Sequence, residues 1–141
     1  PAVTAATQVQ LAAIDRALGA LPQAQVHNAQ AHALHAAAFA DMDGKLLAVR
    51  EDVGRHNALD KLIGAVIKAK IDPAQGFAVI TSRCSVEMVQ KAVIAGFPIL
   101  VSVSAPTAIA ARLADEASIT LLALARRDST LSVTHPHRIL L

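Results

Sequence analysis

Between residues 76 and 124 the chain alternates short, almost wholly apolar runs with segments of helical periodicity. The runs are Gly76 to Thr81, Phe97 to Val103 and Ile119 to Leu124; the helical segments are Ser85 to Ala95, ended by Gly96, and Thr107 to Ala117. A strand with one wet face alternates apolar and polar residues, so runs this apolar require cover on both faces. The pattern predicts a largely parallel sheet with helices on each side. Ser104 is the expected cap of the last helix, with Pro106 near its first turn.

The earlier part of the chain adds two helices and a hairpin. Val9, Leu11, Ile14, Leu18 and Leu21 fall at helical spacing over Thr7 to Leu21, and a looser stretch runs from Pro22 to Gln30. His35 to Ala40 and Lys45 to Arg50 flank Asp41-Met42-Asp43-Gly44, an Asp-Gly turn that predicts a β-hairpin. After the polar corner Glu51 to His56, Leu59, Leu62, Ile63, Val66 and Ile67 trace one helical face, with Asn57 as N-cap and Asp60 three residues on. A strand at Leu131 to Thr134 and a polar tail end the chain. The order α-β-β-α-β-α-β-α-β, without repeats, predicts one domain over residues 1–141: a three-layer α/β/α fold whose mixed sheet carries an antiparallel hairpin.

Composition narrows the class. Of 141 residues, 54% are hydrophobic, much of that alanine, and no apolar run approaches the roughly 20 residues that cross a bilayer. The formal charge is +2 and the only aromatics are Phe39, Phe77 and Phe97, which disfavours a single-strand nucleic-acid binder. One cysteine, Cys84, excludes an internal disulfide and an all-cysteine metal site. The start, PAVTAATQVQ, has neither the charged nor the apolar region of a signal peptide, so a cytosolic domain is expected. Its first residue is proline rather than methionine, which leaves processing and truncation both open.

Sheets of this kind bind ligands beyond the carboxyl ends of their strands, beside helix N-termini. Glu51 to Asn57, Thr81 to Ser85 and Ser102 to Thr107 should meet there. Free backbone N–H groups with Arg55 and Arg83 suit a phosphate. The plainer alternative pairs Arg55 and Arg83 with Glu51, Asp52 or Glu87 to hold corners. His27, His32 and His35 lie close in sequence, and His135 and His137 flank Pro136, but no HExxH or HxE motif accompanies them, so structural or solvent-facing roles are expected. Cys84, at a helix start beside Arg83, is either a reactive thiolate or a small buried hydrophobe, the commoner role of a lone cysteine.

At residues 51–64, EDVGRHNALDKLIG resembles the hallmark of the formate dehydrogenase accessory sulfurtransferases, the FdhD/NarQ type. TSRCSVEMVQKAVIAGFPILVSVSAPTAIAARLA resembles the family's second block, and VTHPHRI its closing Tyr-Thr-His-Pro motif. The matches cover nearly all of this chain and identify it as the C-terminal portion of a longer family chain. The resemblance implies a cytidine-deaminase-like fold and a sulfur relay from a cysteine desulfurase to the molybdenum bis-guanine-dinucleotide cofactor, which passes to formate dehydrogenase. It further implies a cytoplasmic homodimer; motifs and composition add the expectation of no zinc, nucleic acid or membrane.

The family carries sulfur as a persulfide in a Cys-Gly-x-Cys loop that precedes the region matched here, and no residue of this chain corresponds to it. What the resemblance leaves is the cofactor-binding part. The guanine-dinucleotide segment maps onto Leu124, Ala125, Arg126, Arg127, Asp128 and Ser129, and His35, Arg55, His56 and Arg83 are further candidates. Paired arginines at a strand end suit a phosphate-bearing ligand without the family as well. Two departures stand out: Ser129 where the family often has arginine, and Ala31-His32-Ala33-Leu34 where it has Thr-Gly and a small residue, which would let backbone approach a ligand closely. A zinc-dependent deaminase on the same fold is the alternative enzyme, since His56 and Cys84 both occupy helix starts, although the accompanying Glu and second cysteine are missing. A nucleotide-binding chaperone without chemistry is the other alternative.

Overall fold

The computed structural model describes residues 3–27, 34–126 and 129–141, with side chains described outside 124–126 and 129–133. The chain order is β1 (Val9–Gln10), α1 (Leu11–Ala24), β2 (His35–Asp41), β3 (Leu46–Asp52) and α2 (Arg55–Lys68). A 3-10 turn (Pro73–Gln75), β4 (Gly76–Ile80), α3 (Val86–Ala95), β5 (Ile99–Ser102) and α4 (Ala108–Glu116) follow. Last come β6 (Thr120–Arg126), β7 (Ser129–Thr134), a 3-10 turn (Pro136–Arg138) and β8 (Ile139–Leu140).

Six strands form one sheet in the order β3-β2-β4-β5-β6-β7, parallel from β4 to β6 and antiparallel at the β3-β2, β2-β4 and β6-β7 pairs. Strand periodicity then divides the core. Phe39, Ala78, Ile80, Leu100 and Leu121 point to one face and meet Leu59, Leu62, Met88, Val89, Ala110 and Ala114 of α2, α3 and α4. Their neighbours Ala38, Ala40, Phe77, Val79, Val101 and Leu122 point to the other face and meet Ile14, Ala17, Leu18 and Leu21 of α1. The central strands are apolar on both faces because helices cover both, so the expected three-layer α/β/α arrangement is what the chain forms.

Two glycines permit close approaches. At Gly44, in the β2-β3 turn, φ is +86° and a Cβ would stand 2.2 Å from the Ala13 carbonyl oxygen of α1. At Gly76 the backbone is extended, and a Cβ would meet the Ala40 oxygen at 1.9 Å, so only glycine lets β4 begin this close to β2.

Several boundaries correct the sequence reading. α2 begins at Arg55, not at Asn57: the Asp52 carboxylate takes the Gly54 N–H at 2.9 Å, and Gly54 already accepts the first helical bond from Ala58. α4 is capped by Thr107, whose hydroxyl accepts from the Ala110 N–H at 3.1 Å, and not by Ser104, which sits in the preceding loop. α1 starts at Leu11 and continues past Pro22 to Ala24; Val9 belongs to β1, which pairs with β8 in a separate two-stranded ribbon.

Candidate functional site

Because β3 opposes β2 and β2 opposes β4, β3 runs the same way as β4, β5 and β6. The carboxyl ends of all four strands therefore share one edge of the sheet. The starts of α2, α3 and α4 lie at this edge, as does His35, opposite Asp52 across the hairpin. β6 ends and β7 begins there too, with Arg126 paired to Ser129. The three expected segments all lie at this edge, 51–57 separated from the other two by β2. Of the guanine-dinucleotide segment, Leu124, Ala125 and Arg126 end β6 and Ser129 starts β7, while Arg127 and Asp128 lie outside the described residues, as do Ala31, His32 and Ala33.

Backbone bonds tie the two later loops together. Thr107 N–H donates to the Cys84 carbonyl at 3.0 Å, within a parallel bridge between Cys84 and Pro106. Ser102, fully buried at the end of β5, turns its hydroxyl to the Ser82 carbonyl at 3.1 Å and the Ser104 carbonyl at 2.9 Å. On the hairpin side, the Thr81 hydroxyl accepts from Ala36 N–H at 2.9 Å. The two later loops are thus braced against each other and against β2.

The charges at this edge are distributed unevenly. Asp52 pairs with Lys61 at 2.7 Å and also accepts from Gly54 N–H and the Asn57 amide. The Lys61 hydrogen bond first, and the Gly54 N–H second, hold its carboxyl at about 2, well below the ordinary carboxylate value. Glu51 accepts from His27 N–H, and Asp60 pairs with Lys91 at 2.6 Å. Among the described residues no carboxylate pairs with Arg55 or Arg83, so the corner-holding role is not the one they take. Arg83 is exposed; the Nε of Arg55 is buried and has no hydrogen-bond partner among the described residues, and neither has the Ser85 hydroxyl at the start of α3. α2 and α4 carry no acidic residue in their first turns, whereas Glu87 occupies the first turn of α3. Unpaired guanidinium, buried hydroxyl and uncompensated helix starts together form an anion-accepting surface. His35 and His56 stand on the same rim, both partly exposed.

Cys84 takes the buried reading. It is 0% exposed, packs with Met88 and Leu100 in the core, and burial pushes its thiol up to about 12. It therefore makes no thiolate pair with His56 at the edge. Among the described residues no three His, Cys, Asp or Glu side chains gather closely enough to hold a metal ion.

The closing THPHR block sits at the opposite end of the sheet. Thr134 turns its hydroxyl to the Ile119 carbonyl at 2.7 Å and accepts from Leu121 N–H at 3.0 Å, and His135 Nε2 meets Asp115 Oδ1 at 3.3 Å. Arg138, 2% exposed, clasps backbone carbonyls of Val3, Ala5, Pro98 and Ser118. These residues brace the fold rather than face the candidate site. The Asp52–Lys61 pair is the element at the rim that sequence reasoning missed; Asp52-Val53-Gly54, a side-chain-capped turn ahead of a helix, was its available signal.

The sequence profile of the FdhD/NarQ family matches residues 1–140. A sulfur carrier protein FdhD of Xanthomonas oryzae pv. oryzae is 50% identical over 139 residues, covering 99% of this chain and 50% of that protein. One of Bordetella parapertussis is 51% identical over 124 residues, covering 88% of this chain and 45% of the relative. A solved structure from Desulfotalea psychrophila, described as a formate dehydrogenase accessory protein, superposes with a TM-score of 0.90 at 28% identity. That match covers 99% of this chain and 62% of the other. The chain spans about half the length of the curated relatives it matches.

Proposed function

Since the chain belongs to the FdhD/NarQ family, we propose that it is the cofactor-binding part of a sulfur carrier serving formate dehydrogenase. In this reading the intact protein receives sulfur from a cysteine desulfurase and passes it to the molybdenum bis-guanine-dinucleotide cofactor, its cargo. The portion described here holds the cargo's phosphate-bearing nucleotide, and the persulfide cysteine lies outside it. A cytoplasmic homodimer belongs to the same proposal; no described helix is long and apolar enough to cross a membrane.

The observation that carries the reading is the buried Arg55 Nε at the start of α2, without a hydrogen-bond partner among the described residues, on the edge where β6 ends at Arg126. A buried donor left unbonded costs about 1–3 kcal/mol, and an anionic ligand would remove that cost. Arg55, with Arg126 and Arg127, would bind the phosphates, the starts of α2 and α4 would add their dipoles, and the Ser102 brace would hold the loops in place.

Isothermal titration with GDP tests this. Micromolar binding that Arg55→Ala and the pair Arg126→Ala, Arg127→Ala each weaken at least tenfold is the expected result. Absence of binding at millimolar GDP in the folded chain would overturn the reading.

A further inference from the structure

We infer that Lys61 is a positioning residue of this edge: by occupying Asp52, it leaves the Arg55 guanidinium uncompensated for a phosphate group of the ligand. The inference rests on the proposed cofactor-binding reading and adds to it the residue that keeps the pocket's charge available.

Asp52, at the end of β3, is the carboxylate nearest in sequence to Arg55 on the strand that feeds α2. A carboxylate left without a partner can take a nearby guanidinium in a two-pronged pair. Here the carboxylate is fully engaged elsewhere. Its Oδ2 meets Lys61 Nζ at 2.7 Å; its Oδ1 accepts from Gly54 N–H at 2.9 Å and from Asn57 Nδ2 at 3.4 Å. Lys61 also donates to the Glu51 carbonyl at 3.1 Å, so its ammonium is fixed between the strand end and the second turn of α2. The neighbouring carboxylate on α2, Asp60, is likewise held by a lysine, Lys91, at 2.6 Å.

Two carboxylates on this side of the edge, Asp52 and Asp60, are taken by lysines, Glu51 accepts from the His27 N–H, and Arg55 pairs with no carboxylate among the described residues. A lysine is the apt partner for that task, because its compact charge neutralises one carboxylate oxygen, whereas guanidinium geometry suits bidentate phosphate recognition. Removing Lys61 frees Asp52 Oδ2 to turn toward Arg55. The edge would then carry an internal anion in competition with the ligand.

Charge-reversal logic gives a test that a purely structural lysine would fail. GDP affinity of the whole chain is measured by calorimetry for wild type, Lys61→Met, Asp52→Asn and the double variant, with thermal unfolding followed in parallel. Lys61→Met should weaken GDP binding about tenfold, and the loss should shrink as salt rises. Asp52→Asn should bind GDP at least as well as wild type, since the amide can still accept from Gly54 N–H. The double variant should recover affinity to within about threefold of wild type. Should Lys61→Met prove unfolded, weakened binding by Asp52→Asn alone overturns the inference. Unchanged affinity in folded Lys61→Met, or no recovery in the double variant, overturns it as well. Failure of wild type to bind GDP instead counts against the cofactor reading, so the two failures are distinguishable.

Discussion

Arg138 donates from Nε to the carbonyl of Ala5 at 3.2 Å, joining the last turn of the chain to its first described segment. Its Nη2 reaches the Val3 carbonyl at 3.2 Å, and its Nη1 faces the Pro98 carbonyl at 3.3 Å and the Thr120 hydroxyl at 3.2 Å. The guanidinium is thus buried against oxygen dipoles, with no carboxylate beside it among the described residues, and burial lowers its pKa from the ordinary value. Buried charge is tolerated where hydrogen-bond acceptors surround it.

Replacing Arg138 by methionine should therefore destabilise the chain by about 3 kcal/mol, because several carbonyls lose their donor at once. Lysine should recover only part of the loss, having one donor centre where the guanidinium has three nitrogens. Urea unfolding of both variants checks this; equal stabilities for methionine and arginine would mean that the clasp contributes nothing.

The Asp52 carboxyl, held at about 2 against an ordinary 3.8, gives a pH signature. A depressed folded-state value means the carboxylate's contribution is complete above the unfolded value near 4 and disappears as pH falls toward 2. The difference in thermal midpoint between wild type and Asp52→Asn should be constant from pH 7 to 5 and shrink between pH 4 and 2. A difference that persists at pH 2 would place the effect in packing rather than in the charge.

How far this was readable beforehand depends on the residue. The alternation of Ala38 with Phe39 and of Val79 with Ile80 gave no polar face, and that was enough to require helices on both sides; the two-sided core follows directly. The caps of α2 and α4 fall three residues from the expected Asn57 and Ser104, because a cap is chosen by backbone geometry, which composition does not carry. Ser104 and Thr107 are both cap-forming residues, and the one whose hydroxyl reaches the Ala110 N–H is decided by the Cys84–Thr107 bond between loops. Arg138 was invisible for the same reason: its acceptors come from three separate parts of the chain, residues 3–5, 98 and 118–120. The candidate edge was legible because topology alone places the starts of α2, α3 and α4 together. What remained hidden was that Asp52 is taken by Lys61, six residues into the helix, rather than by an arginine of the corner.

Cys84 should resist modification in the folded chain. With its thiol pushed up to about 12 and its surface fully buried, the thiolate population at pH 8 is negligible, so labelling by a disulfide reagent should proceed only through opening of the structure. The labelling rate should rise with subdenaturing urea in step with loss of stability. Cys84→Ser, which places a hydroxyl in the core beside Met88, should cost about 1–3 kcal/mol. Rapid labelling in the absence of denaturant would contradict the buried placement.

Gly64 and Gly76 should respond to alanine in opposite directions. Gly64 lies exposed within α2, and a Cβ there meets nothing within 4 Å. Alanine restricts the unfolded chain and suits the helix, so Gly64→Ala should raise stability by about 0.5–1 kcal/mol. At Gly76 the same Cβ would lie 1.9 Å from the Ala40 oxygen and 2.9 Å from the Phe39 ring. The oxygen belongs to backbone inside the β2-β4 ladder and cannot turn away as a side chain would, so strands must separate or bend. Gly76→Ala should accordingly cost about 3 kcal/mol, at the upper end of what overpacking does in a well-filled core. Urea midpoints of the two variants, measured side by side, check both signs; a neutral Gly76→Ala would show that β4 does not start this close to β2.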